Sequence, residues 1–290
     1  MNWDDVADSL SESGVSIDRS RTPRSVGGGD ISAAWQLHTS YGPLFIKTAA
    51  ASSFDMFDAE ACGLRELASA NAVRVPEVIA VLKYGDGALL ALEWLELSSP
   101  SENCARVLGQ QLAVQHRHTQ AQHGWYRDNT IGLTAQPNTP ADSWPEFYRK
   151  QRLEHQLRLA ADNGHGADLQ AAGHTLLDNL DTLFDDYIPD ASLLHGDLWG
   201  GNWSAVDGRP VTFDPAVYYG DRETDLAMTR LFGGFSSEFY DSYNEAWPLS
   251  DGHERRVDLY QLYHVLNHLN LFGRGYLSRA MALFDNLSGN

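Results

Sequence analysis

Leu193-Leu194-His195-Gly196-Asp197-Leu198-Trp199-Gly200-Gly201-Asn202, followed by Val211-Thr212-Phe213-Asp214, is the stretch on which the reading of this 290-residue chain turns. An Asp on a short loop can accept a proton from a hydroxyl. An Asn five residues later can turn back to ligate a metal. A second Asp, at the end of the next short strand, can complete that site beside phosphate groups. Asp197, Asn202 and Asp214 have the order and spacing that phosphoryl transfer needs, where positioning and charge neutralisation supply nearly all the catalysis. Oxygen-only ligands suit Mg2+.

Upstream of this stretch the pattern divides near residue 96. Val6 and Leu10, spaced i, i+4, predict a short opening helix. Gly27-Gly28-Gly29 precede a strand-like run from Ala33 to Leu37, and a Tyr41-Gly42-Pro43 turn leads into Leu44 to Thr48, predicting a hairpin. Val78 to Tyr84 and Ala88 to Leu95 flank Gly85-Asp86-Gly87 and predict a second one. From Ser98 onward the pattern is helical. Ser143-Trp144-Pro145-Glu146 reads as a capping box with an early Pro, opening a helix through Leu159. Leu259 to Leu271 and Leu277 to Leu287 are further helices. A small β lobe joined to a larger helical lobe is the expected division.

Between the hairpins, Phe57, Glu60, Leu64 and Leu67 share one helix face. A carboxylate on an apolar stripe is costly unless paired. Either Glu60 sits at the edge of the stripe and reaches solvent, or it meets a cation from the preceding strand, for which Lys47 is the obvious partner. Lysine is scarce, with only Lys47, Lys83 and Lys150 in the chain.

The composition excludes several classes. Lys and Arg total 21 against 39 Asp and Glu, a formal charge of −18, whereas general nucleic-acid binders cluster basic residues. No apolar run approaches the roughly 18–20 residues of a membrane span. Met1 to Asp5 lacks the basic start and apolar core of a signal peptide. Two cysteines, Cys62 and Cys104, cannot make a disulfide framework or a four-cysteine zinc site. A reduced, cytoplasmic, monomeric protein without nucleic-acid or membrane partners is expected.

The string His195-Gly196-Asp197, with Asn202 after it, resembles the catalytic loop of protein-kinase-like enzymes, in the branch with Gly after His. The longer string, extended by Asp214-Pro215-Ala216-Val217-Tyr218-Tyr219-Gly220-Asp221-Arg222-Glu223, is similar to the fructosamine (ketosamine) kinase family. Gly27-Gly28-Gly29, Asp128-Asn129-Thr130-Ile131-Gly132 and Leu259-Tyr260-Gln261-Leu262-Tyr263-His264 extend the likeness over most of the chain. The resemblance implies an α+β, protein-kinase-like fold. Its N-terminal nucleotide-binding lobe would span 1–96, with a small antiparallel sheet and one key helix. The mainly helical catalytic and acceptor-binding lobe would span 97–290. It also implies ATP-dependent phosphorylation of the sugar part of ketosamines, typically at the 3-hydroxyl, on a free or protein-bound amine. In the family the phosphorylated adduct falls apart, so the enzyme serves deglycation. An aminoglycoside or other small-alcohol phosphotransferase is the alternative enzyme reading, and a nucleotide-binding pseudokinase the non-enzymatic one.

Carried over residue by residue, the resemblance makes Asp197 the catalytic base and Asn202 and Asp214 the Mg2+ ligands. Lys47, paired with Glu60, would contact the ATP phosphates, and the Gly27, Gly28 and Gly29 backbone would approach them. Glu93-Trp94-Leu95 would be the hinge facing adenine through Glu93 and Leu95, and Asp225 would brace the catalytic loop. Trp199 either stacks on the sugar or its amine, or plugs the loop. Asp221, Arg222 and Glu223 either line the acceptor pocket or form a salt-bridge network. Asp214-Pro215-Ala216 departs from the protein-kinase Asp-Phe-Gly. Asp30 stands where many relatives carry a cysteine, and it is expected to point away from phosphate. Cys62 is expected in the core. His264 and His268 lack an apparent third metal ligand, and His116 and His118 suit the negative end of a helix.

Overall fold

Alternating side chains build the N-terminal sheet. The protein is represented by a computed structural model that describes residues 2–27, 32–40 and 42–289. Its antiparallel strands β1 (Arg24–Val26), β2 (Ala33–Thr39), β3 (Gly42–Ala50), β4 (Val78–Tyr84) and β5 (Gly87–Glu93) lie in the order β1-β2-β3-β5-β4. Both predicted hairpins are present, β2 with β3 and β4 with β5, the second turning at Gly85 with φ +44°. The strand expected to reach Leu95 ends at Glu93. Helix α1 (Trp3–Glu12) and helix α2 (Phe54–Ser69) cover opposite faces of the sheet. Leu89 and Ala91 of β5 pack with Val6 and Leu10 of α1, while Ala88, Leu90 and Leu92 join Phe57, Leu64 and Leu67 of α2. The two-residue period of a strand makes that division. It also decides the fate of Lys47: Leu44 and Ile46 belong to the α1 side, so their odd-numbered neighbour on β3 faces α2.

The remainder is mainly helical, with several short strands, of which the sequence had suggested the one before Asp214. Helix α3 (Glu102–His116) begins at Ser101, whose Oγ accepts from the Cys104 amide at 3.2 Å. Strand β6 (Thr119–Gln120) and the hairpin β7 (Asn129–Ile131) and β8 (Thr134–Gln136) follow. The capping box at Ser143 forms, opening α4 (Trp144–Phe147). The predicted helix then departs from α geometry: Tyr148–Leu153 is a π turn that leads into α5 (Glu154–Asp162). The wider turn buries Tyr148, Arg152 and Leu153 together. Arg152 donates to the Pro137 carbonyl at 2.6 Å and lies 4.0 Å from the Tyr218 ring.

Helix α6 (Ala167–Asn179) precedes strands β9 (Ala191–Leu194), β10 (Trp203–Val206), β11 (Arg209–Thr212) and β12 (Tyr218–Gly220). Helices α7 (Glu223–Leu231), α8 (Ser237–Ala246), α9 (His253–Phe272) and α10 (Leu277–Ser288) complete the chain. Helix α9 buries residues around most of its circumference and forms the spine of this part. One hydrophobic core runs from β5 and α2 through Val217 and Tyr218 to α9, so α2 packs on both parts of the molecule. No described helix is long and apolar enough to cross a membrane.

Candidate active site

The site begins with the pairing that the α2 stripe demanded. Lys47 Nζ lies 2.7 Å from Glu60 Oε1 and 2.7 Å from Asp214 Oδ1. The lysine and Glu60 are largely buried, while the Asp214 side chain is half exposed. Burial works against the ammonium charge, but Glu60 and Asp214 outweigh it and hold the Lys47 pKa above the ordinary lysine range. Burial pushes the Glu60 carboxyl up, against the pull of Lys47. One cation therefore holds two carboxylates from distant parts of the chain in one place.

Two backbone devices place the acidic residues. The β10–β11 register sets Trp203 opposite Thr212, and the Phe213 amide donates to the Asn202 carbonyl at 3.0 Å, bringing Asn202 beside Asp214. Asp214 itself adopts φ +55°, a left-handed conformation that Asp tolerates better than most residues. Its preceding strand thereby ends in a side chain turned to Lys47. The Asn202 amide nitrogen donates to the Asp197 carbonyl at 2.9 Å, Asp197 Oδ2 at 3.2 Å and the Asp214 carbonyl at 3.4 Å. That use of the nitrogen leaves the amide oxygen as an acceptor in the cleft that Asn202 and Asp214 both line.

The catalytic-loop stretch is held from beneath. Asp225 accepts from the His195 amide at 2.8 Å and the Gly196 amide at 2.9 Å. Gly196, at φ +82°, has no room for a side chain, since a Cβ would meet the Ala216 carbonyl oxygen at 2.0 Å. His116 also contacts Asp225, at 3.1 Å, and Tyr243, at 2.8 Å. Burial lowers the His116 pKa while Asp225 pulls the other way, and from the end of α3 this imidazole braces the loop through both ring nitrogens. Asp197 is half-buried, and burial plus the nearby Asp214 push its carboxyl up to about 7, against the Asn202 hydrogen bond.

These groups converge on a cleft of about 600 Å³. Lys47, Glu60, Asp197, Trp199, Asn202 and Asp214 line it, as do Gly27, Glu93 and Leu95 toward the sheet. The Glu93 carboxylate turns to Arg74 at 2.5 Å and its amide donates to the Glu77 carbonyl at 2.8 Å, so its own carbonyl is the part left to face the hinge. Gly28, Gly29 and Asp30, expected around the phosphates, lie outside the described residues.

Asp221, Arg222 and Glu223, the three residues expected to line the acceptor pocket or form a network, are buried and do not line the cleft. Asp221 is 0% exposed and accepts hydrogen bonds from Tyr260 at 2.5 Å, Tyr187 at 3.0 Å and the Glu223 amide at 3.0 Å. Burial and Glu223 push its pKa up to about 7. Arg222 is buried, donates to the Trp247 and Pro248 carbonyls and stacks 3.9 Å from the Trp247 ring. Glu223 pairs with Arg256 through two 2.8 Å contacts. The duller alternative, an internal polar network, is what the fold builds from Asp221 to Glu223. Cys62, expected in the core, is half-buried and packs against its edge, within 3.2 Å of Arg127.

Other residues of the site carried no role in the sequence reading. Asn129 and Gln136 donate to the Val217 carbonyl at 2.8 Å and the Ala216 carbonyl at 3.1 Å, fixing the segment that follows Asp214. Arg127 joins Asp58 of α2 at 2.7 Å. The Asp128 to Gly132 motif marked this region, but nothing in its spacing revealed which carbonyls it would tether.

The antiparallel sheet, the lysine–glutamate pair and the Asp197, Asn202 and Asp214 constellation define a phosphotransferase of the protein-kinase-like fold. A profile of the fructosamine kinase family matches residues 2–289, and the chain belongs to that family. A Synechocystis protein assigned as a ketoamine kinase is 40% identical over 97% of this chain and 95% of its own length. The chloroplastic protein-ribulosamine 3-kinase of Oryza sativa subsp. indica is 42% identical over 90% of this chain and 77% of its own. The crystal structure of a protein assigned as a fructosamine-3-kinase from Haemophilus somnus superimposes with a TM-score of 0.88, at 28% identity, over 98% of this chain and 97% of that one.

Proposed function

We propose that this protein transfers the γ-phosphoryl group of ATP to a sugar hydroxyl, the 3-hydroxyl first, of ketosamines such as fructosamines and ribulosamines. The observation that supports this reading is the meeting of Lys47, Glu60, Asp197, Asn202 and Asp214 in one cleft of a fructosamine kinase family member. Lys47 engages the α- and β-phosphates. Gly27, with Gly28 and Gly29, lets the backbone approach them, and the Glu93 and Leu95 backbone faces adenine. Asp197 orients the acceptor hydroxyl and takes its proton. Trp199 stacks on the sugar or its amine.

The donor set beside Asp214, one carboxylate and one amide oxygen from Asn202, fits Mg2+ by its hardness. When bound there, Mg2+ neutralises phosphate charge. The lobes divide near residue 96, and the reading carries with it a cytoplasmic, monomeric protein that removes glycation adducts.

Incubation with ATP, Mg2+ and a ribulosyl- or fructosyl-lysine derivative is expected to release ADP, with NMR placing the new phosphate on the 3-hydroxyl. Asp197→Asn should lower kcat by about 10²–10⁴-fold while circular dichroism stays unchanged. Turnover of aminoglycosides but not ketosamines, or normal turnover by the variant, would overturn the reading.

A further inference from the structure

Aromatic rings continue outward from the catalytic loop. Trp199 lines the cleft and is 39% exposed. Its ring meets Phe232, just beyond α7, edge-on at 6.3 Å. Phe232 contacts His268 at 5.1 Å, and His268 in turn contacts Phe272 at 5.5 Å and Tyr276 at 5.1 Å. Phe232 is 41% and Phe272 58% exposed. Monomer surfaces do not often leave contiguous large rings in water without a use for them.

The strip is fixed relative to Asp197. A Cβ on Gly200 of the catalytic loop would meet the Gly233 carbonyl oxygen at 2.9 Å and Gly234 Cα at 3.2 Å, so the loop rests on the backbone that carries Phe232. A cation lies beside the rings: Arg279 is 5.9 Å from the Phe232 ring and donates to the Leu231 carbonyl at 3.0 Å. A further cation would meet repulsion there, whereas a neutral apolar or aromatic side chain would gain ring contacts.

We infer that Phe232, Phe272 and Tyr276 form a subsite for the polypeptide that bears the ketosamine, receiving apolar residues that flank the modified lysine. The inference rests on the proposed ketosamine activity and adds the carrier to it. Its basis is continuity with the cleft, since the path of rings starts at Trp199, two residues from Asp197. A small free amine would end at Trp199. Extended chain advances ~3.3 Å per residue, so the residues on either side of the modified lysine are the ones that meet a surface continuous with the cleft mouth.

The test compares two ribose-modified peptides that differ only in having Leu-Lys-Phe or Gly-Lys-Gly around the modified lysine. The unmodified protein should favour the apolar peptide by about 3–10-fold in kcat/KM, the size expected for one or two ring contacts. Phe232→Ala/Phe272→Ala should bring that ratio close to one, and Phe272→Tyr should restore most of it. If the double variant does not fold, Phe272→Ala alone reads the same ratio. Equal use of both peptides by the unmodified protein, or a ratio the variants leave unchanged, overturns the subsite while leaving the activity standing. Absence of turnover with every ketosamine overturns both.

Discussion

Lys47 is the residue on which the charges of the cleft depend. It is the cation placed against both Glu60 and Asp214, each at 2.7 Å. Removing it leaves the buried Glu60 carboxylate and the half-exposed Asp214 carboxylate without their shared cation, which opposes the approach of phosphate as well. Lys47→Ala is therefore expected to raise the KM for ATP or depress kcat by at least about tenfold, a loss of 1.4 kcal/mol or more in transition-state binding. Steady-state kinetics with wild-type constants would remove Lys47 from the site. His264, behind the catalytic loop, makes a different case. Its Nδ1 has no hydrogen-bond partner among the described residues, and burial takes its pKa from 6.5 down to about 3. As pH falls, protons bind the unfolded chain first. The stability His264 contributes is therefore present above about pH 6.5 and is lost progressively between 6.5 and 3. Between pH 7 and 5, His264→Asn should lose about 2 kcal/mol less folding stability than the natural chain. Urea titrations at the two pH values measure the difference, and parallel losses would contradict it.

Helix α2 is held to the larger part of the protein along its length, by Arg127 on Asp58 and by Tyr219 donating to Glu66 at 2.7 Å. At Gly63 the approach is closest: a Cβ would lie 3.0 Å from Val217 Cγ2 and 3.8 Å from Pro215 Cγ. The glycine lets the helix that carries Glu60 pack against the segment that follows Asp214. Gly63→Leu should push the two apart, costing about 1–3 kcal/mol of overpacking and lowering kcat, because Glu60 and Asp214 share Lys47. Thermal unfolding and kinetics together check this; a stable variant with full activity would show that the contact is incidental. The π turn at Tyr148–Leu153 is the second element with a consequence, because it buries Arg152 beside Asn138, which binds the Asn129 tether.

At the scale of the whole molecule, the −18 charge sets a problem for an enzyme that takes ATP, itself an anion. Under the proposed reading, binding depends on local features, chiefly Lys47 and the glycine run that begins at Gly27. The same field attracts a cationic amine adduct over the Debye length, which shrinks from ~14 Å at 0.05 M to ~4.5 Å at 0.5 M salt. Raising salt over that range should increase the KM for a cationic ketosamine more than the KM for ATP. An equal or opposite response would leave the charge as a feature of solubility.

The order His195, Asp197, Asn202 and Asp214, and the apolar stripe on which Glu60 calls for a cation such as Lys47, were legible along the chain. Periodicity and spacing are local properties, and they survive in a one-dimensional string. The hairpins and the capping box at Ser143 were legible for the same reason. What the string concealed depended on packing across long separations. Asp221 and Arg222 follow the catalytic segment closely, yet the turn into α7 directs them inward to Tyr260, Tyr187 and Trp247. His116 reads as a helix end, and only the approach of Asp225 and Tyr243 makes it a brace. The rings of Phe232, His268, Phe272 and Tyr276 come from three separate elements and form a strip only in the folded protein. The sequence by itself determined the chemistry, because that chemistry needs particular groups in a particular order. The tertiary structure decided which polar residues face the substrate, because burial is set by elements that meet from far along the chain.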